Sequence, residues 1–228
     1  MAAVPKRLRR SASAATSASG QPASSAASRP VRNSREAATS RRPAGVVVSA
    51  ARRGSVGEVR VVRGSSRDAA ALADLVAGAD AVVPALGPTG RDTNLHQDTA
   101  AALVPVVRQA GVERFVGVSG AGIDVPGDAK SPSARVISSL IQRLGGAAVA
   151  GKPAEYAVWA DSDRDWTLVR PPRLEDVAAT GAVEHHASTS CRATWVSRAA
   201  LAAFLVDCLE QHLYPRQAPF VAAGRPGG

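Results

Sequence analysis

Short apolar runs alternate with longer amphipathic stretches from about residue 46 onward. The runs are "GVVVSA", "EVRVVRG", "ADAVVPALG", "ERFVGVSG", "DWTLVRPP" and "APFVAA". Several are apolar at consecutive positions, so neither face of such a strand suits contact with water. The stretches between them carry the helical period. In "RDAAALADLVAG", Leu72, Leu75 and Val76 share one face and Gly78 follows the end. "NLHQDTAAALVPVVRQAG" runs to Gly111, with Pro105 expected to kink it or remove a hydrogen bond. "SARVISSLIQRLGG" carries a stripe of Val136, Ile137, Leu140, Ile141 and Leu144 and closes at Gly145. "AEYAVWADS" is a further helix. "SRAALAAFLVDCLEQ" starts at Ser197, a good N-cap, and aligns Leu201, Phe204, Leu205, Cys208 and Leu209. Buried strands alternating with helices predict an α/β fold, a doubly wound parallel sheet covered on both faces.

The first 44 residues are different in kind. They are Ser, Ala and Arg with little else, and Val4, Leu8 and Val31 are their only aliphatics larger than Ala. Such a segment buries too little to offset chain entropy and is expected to be disordered in isolation. The domain therefore spans 45–228. The net charge of +9 follows the same division. Residues 1–67 hold 14 Lys/Arg against 2 Asp/Glu, a balance of +12; residues 68–228 hold 14 against 17, a balance of −3. The folded part is mildly acidic, which argues against a nucleic-acid partner.

In open parallel sheets, ligands sit outside the carboxyl ends of the strands. Four such ends are readable: Gly64-Ser65-Ser66, Ala85-Leu86-Gly87-Pro88, Ser119-Gly120-Ala121-Gly122 and Pro171-Pro172-Arg173. Glycines there let a flat ligand approach the backbone. On pattern alone they are equally readable as ordinary strand-to-helix turns.

Four blocks follow one another in order: "RVVRGSSRDAAALADLVAGADAVVPALGPTG", "AGVERFVGVSGAGIDVPGD", "AEYAVWADSDRDWTLVRPPRLEDVAATG" and "VSRAALAAFLVD". Together they resemble the atypical short-chain dehydrogenase/reductase family of NAD(P)H-binding proteins, the group of NmrA-like proteins and flavin reductase/biliverdin reductase type B. The resemblance covers roughly residues 57–222. It implies a Rossmann fold and the reduction of a flavin-, quinone- or carbonyl-like small molecule. Ala85, Leu86 and Gly87 fall where the family lines the nicotinamide cleft. Ser119 falls on the active-site serine or threonine, with Gly120 next to it among the cofactor-binding positions. Pro171 and Pro172 fall on the segment passing over the nicotinamide, and Arg173 stands where the flavin reductase has a histidine. Ser65 takes the place of an Asp beside the adenine. The implied cofactor is NADP or NAD, NADPH ahead of NADH, although no residue that can be placed decides between them. A serine at that position orients hydride transfer, and the cofactor carries the reaction. Lys152 has Ala148 four residues before it, so the acid tyrosine of ordinary short-chain dehydrogenases has no counterpart.

The family's first strand ends in G-x-x-G-x-x-G, which seats the pyrophosphate on a helix N-terminus. Residues 1–56 do not supply it. Gly45, Gly54 and Gly57 have the wrong spacings and leave no room for a crossover helix, since a βαβ unit needs ~30 residues. The first βα unit is thus degenerate or missing. Three readings stand: a transit-like targeting segment, a basic tail, and a segment that no longer encodes the ancestral unit through a shifted frame or replaced exon. The last is preferred. It makes a non-catalytic or defective relative, lacking the phosphate loop, the alternative to an active reductase.

Pro84 is unfavourable inside a strand expected to be central. His185, His186 and Cys191 lack the spacing of structural zinc patterns and read as a polar loop, so no metal is expected. "DSDRD", 161–165, reads as a solvated turn. Trp159, Trp166 and Trp195 are expected in the core or at its rim. Two cysteines cannot build a multi-bridge framework, and no apolar run is long enough for a membrane span. A cytoplasmic protein with a small-molecule substrate is expected, with organelle targeting as the alternative; oligomeric state is left open.

Overall fold

The computed structural model describes residues 2–5, 46–51, 59–87, 92–144, 147–178 and 182–224. The strands are β1 (Ala2–Pro5), β2 (Val46–Ala51), β3 (Val59–Gly64), β4 (Ala79–Val83), β5 (Arg114–Val118), β6 (Asp165–Val169), β7 (Arg173–Glu175), β8 (Val183–His186), β9 (Trp195–Ser197) and β10 (Phe220–Ala223). The helices are α1 (Ala69–Val76), α2 (Leu95–Gln109), α3 (Pro132–Leu144), α4 (Ala147–Ala150), α5 (Lys152–Asp161) and α6 (Arg198–Glu210).

The centre is the parallel set β4-β5-β6. β10 continues it beside β6 through the parallel bridges Thr167–Gln217 and Arg170–Phe220. β5 shows why both faces need cover. Phe115 belongs to a core with Leu72, Leu75, Leu103, Val107, Trp159 and Trp166, under α1, α2 and α5. Its neighbour Val116 belongs to a second core with Val169, Val196, Leu201, Phe204 and Cys208, under α6. Successive strand residues point to opposite faces, so one strand feeds both cores. In a chain rich in Ala and Val, aromatics fill the larger gaps. Phe115 stacks on Trp159 with ring centroids 3.7 Å apart.

β1 pairs with β4 antiparallel, Ala2 opposite Val83. β2 and β3 form an antiparallel pair from Val46–Gly64 to Ala51–Val59. The N-terminal margin is therefore antiparallel, while the rest of the central sheet is parallel. β7 pairs with β9 in parallel and β8 with β10 antiparallel.

Most expected helices form with the expected stripes. Leu72, Leu75 and Val76 are buried in α1, whose N-cap Asp68 accepts from the amides of Ala70 and Ala71. Ser197 caps α6 by accepting from the Ala200 amide at 3.1 Å. Helix α3 departs from its pattern. Val136, Leu140 and Leu144 face solvent, 55–75% exposed. What α3 buries is Ser138, held at 3.0 Å by the ammonium of Lys130. Among its described side chains, then, a polar anchor is buried while three members of the apolar stripe are not. The side chains of Ile137 and Ile141, and Gly145, lie outside the described residues. Pro84 does not break a ladder, because β4 ends at Val83. α2 runs through Pro105, which is on its exposed side. Among the described residues no helix is long and apolar enough to cross a membrane.

Candidate functional site

The parallel register of β4, β5 and β6 brings their carboxyl ends to one side of the sheet. Ser119 follows β5 there. Its amide donates to the Val169 carbonyl at 2.8 Å, and the Ala121 amide donates to the Pro171 carbonyl at 2.9 Å. The loops after β5 and β6 are thereby stitched together, and Ser119, Gly120, Pro171 and Pro172 share one wall. Ser119 is 9% exposed, yet among the described residues its Oγ has no hydrogen-bond partner. A buried hydroxyl without a partner is costly and calls for an explanation such as a ligand.

Ala85, Leu86 and Gly87 follow β4 on the neighbouring strand, with Ala85 and Gly87 exposed. A Cβ placed on Gly87 or Gly120 would meet no described atom within 4 Å. Arg173 is exposed and forms an ion pair with Glu175. Ser65 is exposed, and its hydroxyl accepts from the Arg67 amide at 3.2 Å. Its neighbour Ser66 is the buried one, hydrogen-bonded to the Thr99 hydroxyl at 2.7 Å. Pro88 lies outside the described residues.

A buried cluster behind Ser119 was not visible in the sequence. Lys152 opens α5, and its ammonium donates to the Val118 carbonyl at 2.9 Å, to Glu155 Oε2 at 3.0 Å and to His96 Nδ1 at 3.2 Å. Gly151 permits the approach, since a Cβ there would sit 2.5 Å from the Thr93 carbonyl oxygen. Burial pushes His96 down to about 4, and the Lys152 charge adds to this. The imidazole is therefore neutral at pH 7. Because the ammonium can only donate, Nδ1 accepts and the ring proton sits on Nε2. Burial raises the Glu155 carboxyl, and Lys152 pulls it back toward ionisation. The ammonium has three N–H groups and these three acceptors. Lys152 thus fixes the last carbonyl of β5, next to Ser119.

A second brace lies beyond the loop. Arg170 is 0% exposed and binds both Asp128 oxygens at 2.7 Å, the Ala218 carbonyl at 2.6 Å and the Ile123 carbonyl at 3.3 Å. Its guanidinium lies 3.7 Å from the Phe220 ring centroid. Lys130 donates to the Ile123 carbonyl at 2.6 Å. Sequence spacing hinted only at Lys152 and Glu155, three apart on a helix. The partners of Arg170 and His96 are too distant in the chain to be paired by pattern.

The model of the NAD(P)H-binding family matches residues 18–212. The chain belongs to that family. As an NAD(P)H-binding family member it has Rossmann-like neighbours among solved structures. One is a Burkholderia pseudomallei protein named as exported: 27% identity, TM-score 0.59, covering 77% of this chain and 81% of the other. A second is a short-chain dehydrogenase/reductase from Veillonella parvula in complex with NADP: 19% identity, TM-score 0.58, covering 78% and 74%. A third is ChuY, an anaerobillin reductase of Escherichia coli O157:H7: 19% identity, TM-score 0.55, covering 72% and 75%. No curated protein sequence matches. Among the described residues, then, the chain has a partnerless Ser119 hydroxyl and open space over Gly87 and Gly120 at the carboxyl ends of β4 and β5. The family's glycine-rich pyrophosphate turn has no counterpart among the described residues.

Proposed function

We propose that this chain is an NAD(P)H-dependent oxidoreductase that reduces a flavin-, quinone- or carbonyl-like small molecule, with NADPH ahead of NADH. The observation that carries the reading is the Ser119 hydroxyl, buried and, among the described residues, without a partner at the carboxyl end of β5. The bound nicotinamide would supply the hydride. Ser119 donates its hydroxyl proton in a hydrogen bond to the acceptor carbonyl or to the carboxamide, and so orients the transfer. Ala85, Leu86, Gly87 and Gly120 leave the backbone open to a flat ring. Pro171 and Pro172, on the same wall as Ser119 and Gly120, limit water. Arg173 stands at the rim, paired with Glu175. Ser65 lies on the adenine side. Lys152 acts through the Val118 carbonyl as a positioning residue. Two free cysteines, Cys191 and Cys208, support a reducing compartment such as the cytoplasm.

The test is a titration of the 228-residue chain with NADPH and NADH, read by nicotinamide fluorescence, followed by turnover with flavin and quinone acceptors. Saturable binding is expected, with Ser119→Ala lowering turnover about a hundredfold and cofactor affinity far less. A chain shown to be folded that binds neither cofactor up to millimolar concentration sinks the enzyme reading. It would then be a Rossmann-fold relative without the phosphate loop.

A further inference from the structure

We propose that Glu184, His186 and Cys191 form a zinc site. Glu184 and His186 are two apart on β8, so their side chains leave the strand on the same face. The loop that follows returns Cys191 to that face. One ligand atom from each residue can be chosen so that all lie within 4.8 Å of one another. His186 Nε2 is 3.1 Å from Glu184 Oε1, and the Cys191 thiol donates to the Glu184 carbonyl at 3.4 Å. His185 points to the other face. Its Nδ1 is 2.6 Å from the Tyr214 hydroxyl, and its ring lies 4.8 Å from that of Phe204. The adjacent histidines therefore do different jobs, and the ligand missing from the His-His-Cys pattern is a glutamate.

One sulfur, one nitrogen and one carboxylate oxygen suit zinc, which binds these donors at roughly 2.0–2.3 Å in tetrahedral geometry. Calcium and magnesium would want oxygens alone. Tetrahedral corners at those bond lengths are about 3.3–3.7 Å apart, so the three groups close on an ion by small side-chain rotations. The fourth corner is left to water. Glu184 is already oriented, its two oxygens each 3.3 Å from the Arg192 amide. Outer contacts of this kind fix a ligand's direction. On coordination the Cys191 thiol gives its proton to solvent, and the ion sheds water. The site has a structural consequence. The Ala129 amide donates to the Ser188 carbonyl at 3.0 Å. An ion on Cys191 would therefore tie residues 187–194 to β8, beside the loop that follows Ser119.

The full chain, without a histidine tag, is titrated with Zn²⁺ against a chromogenic chelator, and with Co²⁺ while the thiolate-to-metal charge-transfer band is recorded. One equivalent of tight binding and a charge-transfer band are expected. Cys191→Ser removes the band. Glu184→Gln and His186→Ala weaken zinc binding about tenfold or more. His212→Ala, which changes an exposed histidine elsewhere, leaves binding unaltered. Zinc also raises the melting temperature of the unaltered chain, by mass action, but not that of Cys191→Ser. Melting curves of the metal-free variants establish that each is folded. The proposal is overturned if the unaltered chain gives no charge-transfer band. It is equally overturned if the Glu184, His186 and Cys191 variants bind zinc as the parent does.

Discussion

The two sides of the candidate site are held by opposite means. The wall built from β5 and β6 is braced by buried cations, Lys152, Lys130 and Arg170, each aimed at carbonyl oxygens of the loops it fixes. The side built from β3 and β4 is held by Arg67, exposed, which bridges Asp92 at 2.7 Å and Asp98 at 2.9 Å. The contrast teaches where rigidity resides. Charge placed under a loop in low dielectric is expensive to disturb, whereas charge over a loop in water is nearly free to change.

Arg170→Met should break this comparison hardest. It removes a fully buried guanidinium and leaves Asp128 without its bidentate partner, so a loss of about 3–5 kcal/mol is expected, read from the urea midpoint. The pH dependence of stability comes next. His96 has a folded value of about 4 against an ordinary 6.5, so the unfolded chain binds more protons between those limits. Stability therefore falls as pH drops from 6.5 to about 4 and levels off below. Glu155 contributes the opposite slope. Its folded value is raised from 4.5, so it costs stability as pH climbs above that point. His96→Gln should flatten the acid-side fall in denaturant melts taken across this range, and a curve identical to the parent's would contradict the neutral assignment. The helix caps sharpen the comparison from another direction. Asp68→Ala on the open side and Ser197→Ala on the braced side should each cost about 1 kcal/mol in thermal unfolding, because a cap acts locally wherever its helix lies. Arg67→Ala should cost least, below about 1 kcal/mol, and even that difference should vanish in high salt.

The layers of the fold were legible because they rest on short-range periodicity. Leu72, Leu75 and Val76, or Leu201 and Phe204, announce a face by spacing alone. Ser119 was legible as the end of a buried strand. The exposure of Val136, Leu140 and Leu144 on α3 was not, and the buried contact of Lys130 with Ser138 on the same helix leaves no periodic trace. Nor was the Lys152–His96 contact, whose members are 56 residues apart. The glutamate of the proposed zinc site was overlooked because adjacent histidines draw the eye, while strand alternation sends one of them away.

The direction of β1 has a consequence for how any phosphate is held. Ala2 lies beside Val83, at the ligand end of β4, and the chain leaves β1 at Pro5, at the far end. A parallel strand in this slot would deliver the next helix to the cleft, with its amide dipoles converging on the anion. β1 runs the other way and carries the chain from that end to the far one. Side-chain cations near a phosphate there would act only within a Debye length of about 8 Å at physiological salt, so their share of any dinucleotide affinity would fall as ionic strength rises.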